Sequence, residues 1–553
     1  MNNTSRRRGG ILLASIAAVS VLAVACGGGD SGSGSKGGTD SSAPAGKPVK
    51  GGEVTYGLEA ENSGGWCLPE GQLAISGIQV ARTIYDTLTV PNETGQYVPF
   101  LAESVTPNAD NTVWTVKLRD GVKFHDGTAL NAQVVKNNLD AYRGAYPARK
   151  PLLFKFVFDN IKSVDVVDGN TLTITTNTPW PALPAFLYGS GRIGIMAQAQ
   201  LDDPSTCDSK LIGTGPFKLD EWVQNDHLTA SRNPDYWQKD ASGTQVPYLD
   251  KITYKPVVEE DTRVNALLSG QLNAMHTNDA TAMGTLADEQ KSGNVDVTAS
   301  GKFAEVSYIM FNSSKPPFDS QTARSAIAYA LDRTEMRKVR FQDRMEMASG
   351  PFATGEIGYL ADTGFPDYDP AKAKQLAAQY QSETGQPLTF TLTEAQGAEN
   401  AQTAQFIQAQ MAKVGIKVDI KQMEQASQIN TALGNDWQAL YWRNHPGGNP
   451  DSQYVWWHSG SPVNFGKFKD AEIDSLLEKG RADPDPAARQ KIYEQLNQEF
   501  AKKLYNVWTN WSNWTIGTAP DVKGVIGPNL PDGSKPFPGL AVGHPVTGIW
   551  IQK

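Results

Sequence analysis

Aromatic and polar side chains are interleaved in one late segment of the chain, residues 437–468, and these residue types suit the binding of a small molecule. Seven of the 13 tryptophans lie between residues 437 and 514. Aromatic faces offer a ligand a large contact area, and polar groups beside them orient it. We therefore predict ligand contacts from these side chains: Trp442, Arg443, Asn444, His445, Trp456, Trp457 and Trp511. Packing in the hydrophobic core is the alternative role for some of the tryptophans.

Motifs for covalent catalysis or metal binding are missing from the sequence of the folded region. It contains no HExxH motif, no phosphate-binding P-loop and no GxSxG motif. Residues 189–194 spell GxGxxG, but no strand precedes them and no helix follows, so we interpret them as a loop. The six histidines are scattered without the spacing of metal ligands. We therefore expect no metal, no cofactor and no enzymatic activity.

The first 50 residues have the composition of a targeting segment followed by a tether. Arg6, Arg7 and Arg8 precede an apolar stretch, residues 11–25, that is too short to span a bilayer comfortably. The stretch ends in LAVAC at Cys26, which resembles the lipobox of bacterial lipoproteins. We predict a signal peptide over residues 1–25, lipidation of Cys26 and a flexible Gly/Ser-rich linker over residues 26–50. An ordinary secretory signal with an incidental cysteine is the alternative.

The two remaining cysteines, Cys67 and Cys207, lie in loop-like sequence. In an oxidising extracytoplasmic environment, two such cysteines in a large protein most simply form a disulfide. Two separate buried thiols are the alternative. Neither cysteine has another Cys or His at the spacing of zinc ligands.

Composition excludes several classes of protein. The 553 residues carry a net charge of −9, with 50 Lys and Arg against 59 Asp and Glu, which argues against nucleic acid as a partner. A hydrophobic content of 39% is enough for a folded core and argues against global disorder. After residue 25 the chain has no uncharged apolar run of about 18 residues, so a multi-span membrane protein is excluded.

Strand-like and helix-like segments are mixed along the rest of the chain, which indicates an α/β or α+β protein. Residues 53–58 and 113–118 read as strands, and Gly169-Asn170 reads as a hairpin turn between two more. Helical periodicity predicts a helix over residues 78–88. A helix over residues 486–503 begins with proline in its first turn.

Several blocks, in order along the chain, resemble the extracellular solute-binding proteins of ABC importers, family 5, the peptide, oligopeptide and nickel group. The most specific block is WTVKLRDGVKFHDGTAL, residues 114–130. The others are YDTL with PFLAES, residues 85–88 and 99–104; GTGPF with RNPDYW, residues 213–217 and 232–237; and RSAIAYALDR, residues 324–333. The similarity runs from about residue 52 to the C-terminus.

This resemblance implies an α/β bilobal periplasmic-binding-protein-like fold (type II, cluster C) with an extra subdomain in the first lobe. The implied boundaries are residues 51–303 for domain I, with the extra subdomain at about 92–210, residues 304–515 for domain II, and residues 516–553 for a C-terminal return to domain I. It also implies a monomer that captures a solute between two lobes and delivers it to the membrane subunits of an ABC permease. With the predicted anchor, the protein would be extracytoplasmic and held at the cell membrane.

The resemblance also implies that the loop after the first strand lines the cleft, including Asn62, Gly64, Gly65 and Trp66. One departure concerns the ligand. Peptide-binding members carry an aspartate, which grips the peptide's amino group, shortly before the segment that matches residues 448–451, whereas residues 444–448 here contain no carboxylate. Peptide is the family default, and a non-peptide solute such as an oligosaccharide, or an anion that contacts Arg443, is the alternative.

Two further functional alternatives stay open at this point. A surface-tethered secreted hydrolase would need a nucleophile with a base, or a metal site, in the cleft. A receptor that feeds a sensor kinase in place of a permease would have the same sequence features as a transport receptor.

Overall fold

The computed structural model describes residues 46–62, 65–444 and 448–553. The predicted lipidation residue Cys26 therefore lies outside the described residues. The strands before residue 296 are β1 (Glu53–Leu58), β2 (Thr89–Pro91), β3 (Tyr97–Pro99), β4 (Ala102–Pro107), β5 (Val113–Leu118), β6 (Ile161–Val166), β7 (Thr171–Thr176), β8 (Phe217–Val223), β9 (His227–Arg232), β10 (Lys251–Pro256) and β11 (Ala274–Thr277). The later strands are β12 (Asp296–Phe311), β13 (Glu346–Met347), β14 (Thr389–Ala395), β15 (Lys417–Met423), β16 (Ala439–Asn444), β17 (Asn506–Thr518), β18 (Val522–Lys523) and β19 (Trp550–Ile551).

Helices alternate with these strands along the chain. The helices before β12 are α1 (Ile75–Ile84), α2 (Ala132–Tyr142), α3 (Lys155–Phe158), α4 (Leu183–Phe186), α5 (Gln198–Asp202), α6 (Glu260–Leu268) and α7 (Ala280–Lys291). Those after it are α8 (Gln321–Ala330), α9 (Arg333–Val339), α10 (Pro370–Thr384), α11 (Ala398–Ala412), α12 (Gln425–Leu433), α13 (Gln453–Trp457), α14 (Ala471–Ala482) and α15 (Pro486–Lys503).

A long mixed sheet organises the described part of the chain, in the order β15-β14-β16-β12-β17-β11-β1-β10-β9-β8, with β13 also paired to β17. Strand β1 runs parallel to β10 and β11, and β14 runs parallel to β15 and β16. We call β8–β11 with β1 the first half of the sheet and β14–β16 the second half. A separate antiparallel sheet, β4-β5-β7-β6, lies within residues 102–176.

Strands β12 and β17 join the two halves. Residues 296–300 of β12 pair with residues 514–518 of β17 beside β11, and residues 305–310 pair with residues 506–512 beside β16. The pairing register shifts between Ser300 and Glu305. Such an irregularity interrupts the ladder of hydrogen bonds and lets the strands bend.

Local sequence accounts for several element boundaries. Helix α15 begins with a proline, whose missing N–H costs nothing there, and Asp485 caps it by accepting from Ala487 N and Ala488 N. Helix α1 covers Ile75–Ile84, whereas residues 78–88 were expected to be helical. It ends early because Gly215 N donates to the carbonyl oxygen of Ile84 at 3.0 Å, and Tyr85 turns to an extended conformation.

Buried side chains on the faces of the long sheet form a continuous core. Tyr56 and Ile252 from the first half belong to the same cluster as Ile309 from β12 and Leu392 from the second half. No helix in the described ranges is long and apolar enough to cross a membrane.

Candidate ligand-binding site

A cavity of about 800 Å³ lies between segments of the two halves of the sheet, and we call it the central cavity. On one side it is lined by residues 72–75, which lead into α1, with Leu153 and Arg192. On the other side it is lined by β16, by α12 and by Trp456 and Phe465. Its lining combines apolar and aromatic side chains with a few polar and charged groups, as in sites that bind small organic molecules.

One wall of the central cavity is aromatic. Trp442 from β16 meets Phe465 edge to face, with ring centroids 5.3 Å apart, and Trp456 from α13 lies 6.1 Å from the same ring. Phe465 is buried, whereas both tryptophans are only partly buried and so keep surface for a ligand. Leu73 and Ile75 add apolar surface from the opposite side, so the cavity can bind an apolar or aromatic group.

The Arg443 side chain lines the central cavity, but its charge is matched by carboxylates of the protein. Its Nη2 lies 2.9 Å from Glu59 Oε1, and its Nε lies 3.8 Å from Glu305 Oε2. The guanidinium also stands over the ring of Trp514 at 5.5 Å. Burial by itself disfavours the charged form, yet Glu59 and Glu305 outweigh it and raise the pKa of Arg443. Arg443 is thus a permanently charged group held by an internal ion pair.

The pKa of Glu305 is raised as well, but here burial outweighs the neighbouring charge. Burial raises the pKa of Glu305 to about 7, although Arg443 acts to lower it. The Oε2 atom of Glu305 also accepts a hydrogen bond from Trp514 Nε1 at 3.1 Å. At neutral pH this carboxyl is therefore poised between its neutral and ionised forms.

A second cavity, of about 840 Å³, adjoins the first, and we call it the acidic chamber. Among the described residues that line it, six carboxylates face two guanidinium groups: Glu59, Glu61, Glu260, Asp279, Glu399 and Glu424 against Arg263 and Arg443. Burial raises the pKa of Glu260 to about 7, and it raises the pKa of Glu399 as well. The excess of carboxylates gives this chamber a negative potential.

A third cavity, of about 690 Å³, is lined by polar side chains that include Asn62, Gln72 and Ser76, together with apolar ones such as Leu152 and Ile429. We call it the side chamber. Gln425, at the N-terminus of α12, lines all three of these cavities. The central cavity, the acidic chamber and the side chamber therefore adjoin one another at this residue, and we call the three together the cleft.

The structure places the predicted contact residues unequally. Four of them line the central cavity: Trp442, Arg443, Asn444 and Trp456. Asn62 lines the side chamber and donates through Nδ2 to Gly65 O at 2.7 Å. Gly64 and His445 lie outside the described residues.

Gly65 and three tryptophans predicted at the site do not line any of the three chambers of this cleft. Trp66 is 2% exposed and packs edge to face against Trp222. Trp457 is 2% exposed and packs against Phe468. Adjacent side chains of helix α13 point in different directions, so Trp456 faces the cavity and Trp457 does not. Trp511 is 6% exposed and contacts Tyr359.

Two charged residues that line the central cavity, Glu305 and Arg192, were not predicted from the sequence. Glu305 lies within β12, where nothing local marks it as exceptional. Arg192 lies in the GxGxxG segment, which was interpreted as a loop. Its side chain is buried and donates from Nε to Leu73 O at 2.9 Å. Burial lowers the pKa of Arg192 to about 10. The Gly-rich context of Arg192 is the one local signal that could have drawn attention to it.

Cys67 and Cys207 form a disulfide, with their Cα atoms 4.9 Å apart. The bridge connects residues 140 positions apart in the sequence. It fixes the loop that follows β1 to the region after α5, as expected of the two cysteines. Within the described ranges, no group of three or more His, Cys, Asp or Glu side chains has the arrangement of a metal site.

Comparisons with known proteins agree with this architecture. Residues 96–466 match the family model described as bacterial extracellular solute-binding proteins, family 5 Middle. The glutathione-binding protein GsiB of Escherichia coli (strain K12) is 29% identical over 434 residues, which cover 75% of this chain and 80% of GsiB. The same protein from Shigella dysenteriae is 32% identical over 349 residues, which cover 62% of this chain and 65% of the relative.

Solved structures share the fold over nearly the whole chain. The oligopeptide-binding protein AppA from Bacillus subtilis, in complex with a nonapeptide, superposes with a TM-score of 0.80 at 23% identity and covers 92% of this chain and 100% of its own. AgaA from A. tumefaciens R10, in complex with agropinic acid, gives 0.79 at 26% identity and covers 91% of this chain and 99% of its own. The predicted bilobal α/β fold is confirmed. The chain belongs to the bacterial extracellular solute-binding proteins, family 5.

Proposed function

We propose that this protein is the substrate-binding receptor of an ABC importer and that its solute binds in the cleft formed by the central cavity and its two chambers. The observation that carries the proposal is the position of the central cavity, since residues 72–75 and Arg192 line one side and β16 lines the other. A solute in that position contacts both halves of the protein at once. Its contacts therefore stabilise the closed arrangement, as a receptor requires.

Charge in the cleft favours a solute with a cationic group over an anion. An anion would have to compete with Glu59 and Glu305 for Arg443, which both carboxylates already hold. The acidic chamber, in contrast, offers an excess of carboxylates next to the central cavity. An ammonium or guanidinium group placed there gains charge-assisted hydrogen bonds. The acidic chamber thus takes over the role that a single aspartate has in the peptide-binding members.

The aromatic wall accounts for the other end of the solute. An apolar side chain against Trp442 and Trp456 buries surface at about 25 cal/mol per Å². A short peptide fulfils both requirements, because it has a free amino group at one end and side chains beside it. AppA, with its nonapeptide, and GsiB, the glutathione-binding protein, illustrate such solutes within the family.

Closure of the cleft would use the two strands that connect the halves of the sheet. We place the hinge at residues 300–305 of β12 and residues 512–514 of β17, where the register shifts. Boundaries at residues 51–303, 304–515 and 516–553 follow from this hinge. Few residues then absorb the rotation, as in other hinge closures.

The segment before residue 51 would hold the receptor at the cell surface. Lipidation of Cys26 after cleavage of residues 1–25 attaches the protein to the membrane, and residues 26–50 act as a tether. The receptor would work as a monomer and present its solute to the permease without turnover. Incubation with candidate solutes and product detection by mass spectrometry tests the last point, and any turnover contradicts it.

Native mass spectrometry of the gently purified protein tests the binding function directly. We expect a retained solute whose mass is identified and whose affinity is then measured by calorimetry. Trp442→Ala should weaken that binding at least tenfold, because it removes one of the two partly exposed tryptophans of the aromatic wall. Trp222→Ala is the matched control: this tryptophan is also partly buried, but it lies on the edge strand β8. Equal affinities for the two variants would contradict the placement of the site.

The charge of the solute is tested with short peptides and their N-acetylated forms. Acetylation removes the positive charge and keeps the side chains, so we expect at least tenfold weaker binding. Acetylated peptides that bind as tightly as free ones would contradict a cationic anchor. In the cell, deletion of the gene should abolish uptake of the solute, whereas loss of a transcriptional response alone would indicate a sensory receptor.

A further inference from the structure

The Cys67–Cys207 disulfide anchors a segment that lines the cleft. Cys67 O accepts hydrogen bonds from Glu70 N and Gly71 N, so the chain turns tightly after the cysteine. Residues 72–75, which follow, line the central cavity and lead into α1. The disulfide is thus a covalent clamp on one wall of the cleft.

A buried arginine lies directly against the two sulfur atoms. Arg149 Nη1 is 3.3 Å from Cys67 Sγ and 3.2 Å from Cys207 Sγ, and the arginine side chain has no exposed surface. Its Nε donates to Leu201 O at 3.1 Å, and its Nη2 donates to Gln200 O. The carboxylate in reach is that of Glu70, which is 3.7 Å away and partly exposed.

A disulfide is neutral and gains little from a neighbouring cation, whereas a thiolate gains a great deal. Cations beside cysteine sulfur stabilise the thiolate and thereby favour thiol–disulfide exchange. The two sulfurs also differ in access, since Cys207 is 3% exposed and Cys67 is only partly buried. An incoming thiol can therefore reach Cys67, while Arg149 is in place to stabilise Cys207 as the leaving group.

We propose that Cys67–Cys207 is a reducible clamp, opened by low-molecular-weight thiols with the help of Arg149, and that its opening loosens the wall of the cleft. The attacking thiolate forms a bond to Cys67 Sγ, the Sγ–Sγ bond breaks, and its electron pair leaves on Cys207 as a thiolate beside Arg149. The reductant's second thiol group then attacks the reductant's first sulfur atom, which is bonded to Cys67 Sγ in the mixed disulfide, and releases the Cys67 thiolate. The reductant is oxidised to a disulfide, and Arg149 exchanges no electrons. The consequence for solute binding rests on the proposed function, whereas the exchange chemistry does not.

Reduction kinetics test the role of Arg149. The oxidised protein is treated with dithiothreitol, quenched with iodoacetamide at intervals and weighed as intact protein. We expect Arg149→Met to slow reduction at least tenfold and Arg149→Lys, which keeps the charge, to stay within about threefold of the wild type. Reduction of the Met variant at the wild-type rate or faster would overturn the proposal.

The wild-type protein provides two tests that do not depend on whether a variant folds. A monothiol such as 2-mercaptoethanol should leave its adduct on Cys67, and an adduct found chiefly on Cys207 would overturn the proposed direction of attack. Hydrogen exchange of the peptide that covers residues 67–77 should be at least tenfold faster after reduction and alkylation, with β5 (Val113–Leu118) as the internal control. Unchanged exchange in residues 67–77 would overturn the clamp, and it would leave the proposed solute binding intact.

Discussion

Replacement of Arg443 by methionine tests whether this arginine belongs to the protein's own ion pair. Methionine keeps the length and apolar contacts of the side chain but leaves Glu59 and Glu305 without their counter-charge. Removal of one partner of a buried pair typically lowers the free energy of unfolding by about 3–5 kcal/mol. Since the pKa of Glu305 is already about 7, this carboxyl can take up a proton and relieve part of the loss. We therefore expect a smaller loss at pH 6 than at pH 8.5.

A double-mutant cycle isolates the pair itself. The variants are Arg443→Met, Glu59→Gln and the two combined, and their free energies of unfolding are measured in urea without solute. Two unit charges about 4 Å apart interact by roughly 4 kcal/mol at an effective dielectric constant of about 20. The side chains of Arg443 and Glu59 are 22% and 12% exposed, so we expect a coupling energy of about 2 kcal/mol.

Arg337 provides the control for this cycle. It pairs with Asp343 at 3.2 Å, but their side chains are 46% and 60% exposed. Exposed pairs contribute about 0–1 kcal/mol, so Arg337→Met should change stability little. A coupling energy near zero for Glu59 and Arg443 would refute the internal ion pair. Loss of solute binding in Arg443→Met with unchanged stability would instead assign this arginine to an anionic solute.

The remaining predictions concern pH, packing and the covalent bridge. Burial raises the pKa of Glu356 to about 8, so its ionised form destabilises the fold, and the free energy of unfolding should rise as pH falls from 8.5 to 6.5. In urea titrations, Glu356→Gln should raise the free energy of unfolding by about 2 kcal/mol at pH 8.5 and should make it depend less on pH. Gly213→Ala would place a Cβ 2.0 Å from the carbonyl oxygen of Ile84 and should lower the melting temperature by several degrees. Gly169→Ala is the control, because its Cβ meets no neighbouring atom and neither glycine has a positive φ. Serine in place of both Cys67 and Cys207 should cost about 2–5 kcal/mol in denaturant titrations, and a loss below about 1 kcal/mol would contradict a stabilising role.

Local patterns predicted individual elements well where neighbours in the sequence decide the structure. Strand β1 and helix α15 have the predicted bounds, because alternation in the first and a proline with an aspartate cap in the second act within a few residues. The end of α1 was predicted too late. Nothing within the helix stops it; Gly215, more than a hundred residues away, takes the carbonyl of Ile84.

The sequence predicted which types of residue line the site, but only some of the individual residues. The aromatic segment after residue 437 does contribute Trp442 and Trp456 to the central cavity. Their neighbour Trp457 packs in the core, because the side chains of a short helix diverge by about 100° per residue. Which of two adjacent tryptophans faces the cleft depends on how that helix packs.

By itself, the sequence determined the family, the α/β class, the pair of cysteines and the region rich in aromatic contacts, since each depends on residue types and short spacings. The tertiary structure alone decided the electrostatics of the cleft. Glu59 and Arg443 are 384 residues apart and lie at the ends of β1 and β16, with three strands between them in the sheet. Only the order of the strands and the contact between the two halves bring these side chains to 2.9 Å. From the sequence, Arg443 was a candidate contact for an anionic solute, whereas in the structure it belongs to the protein's own ion pair.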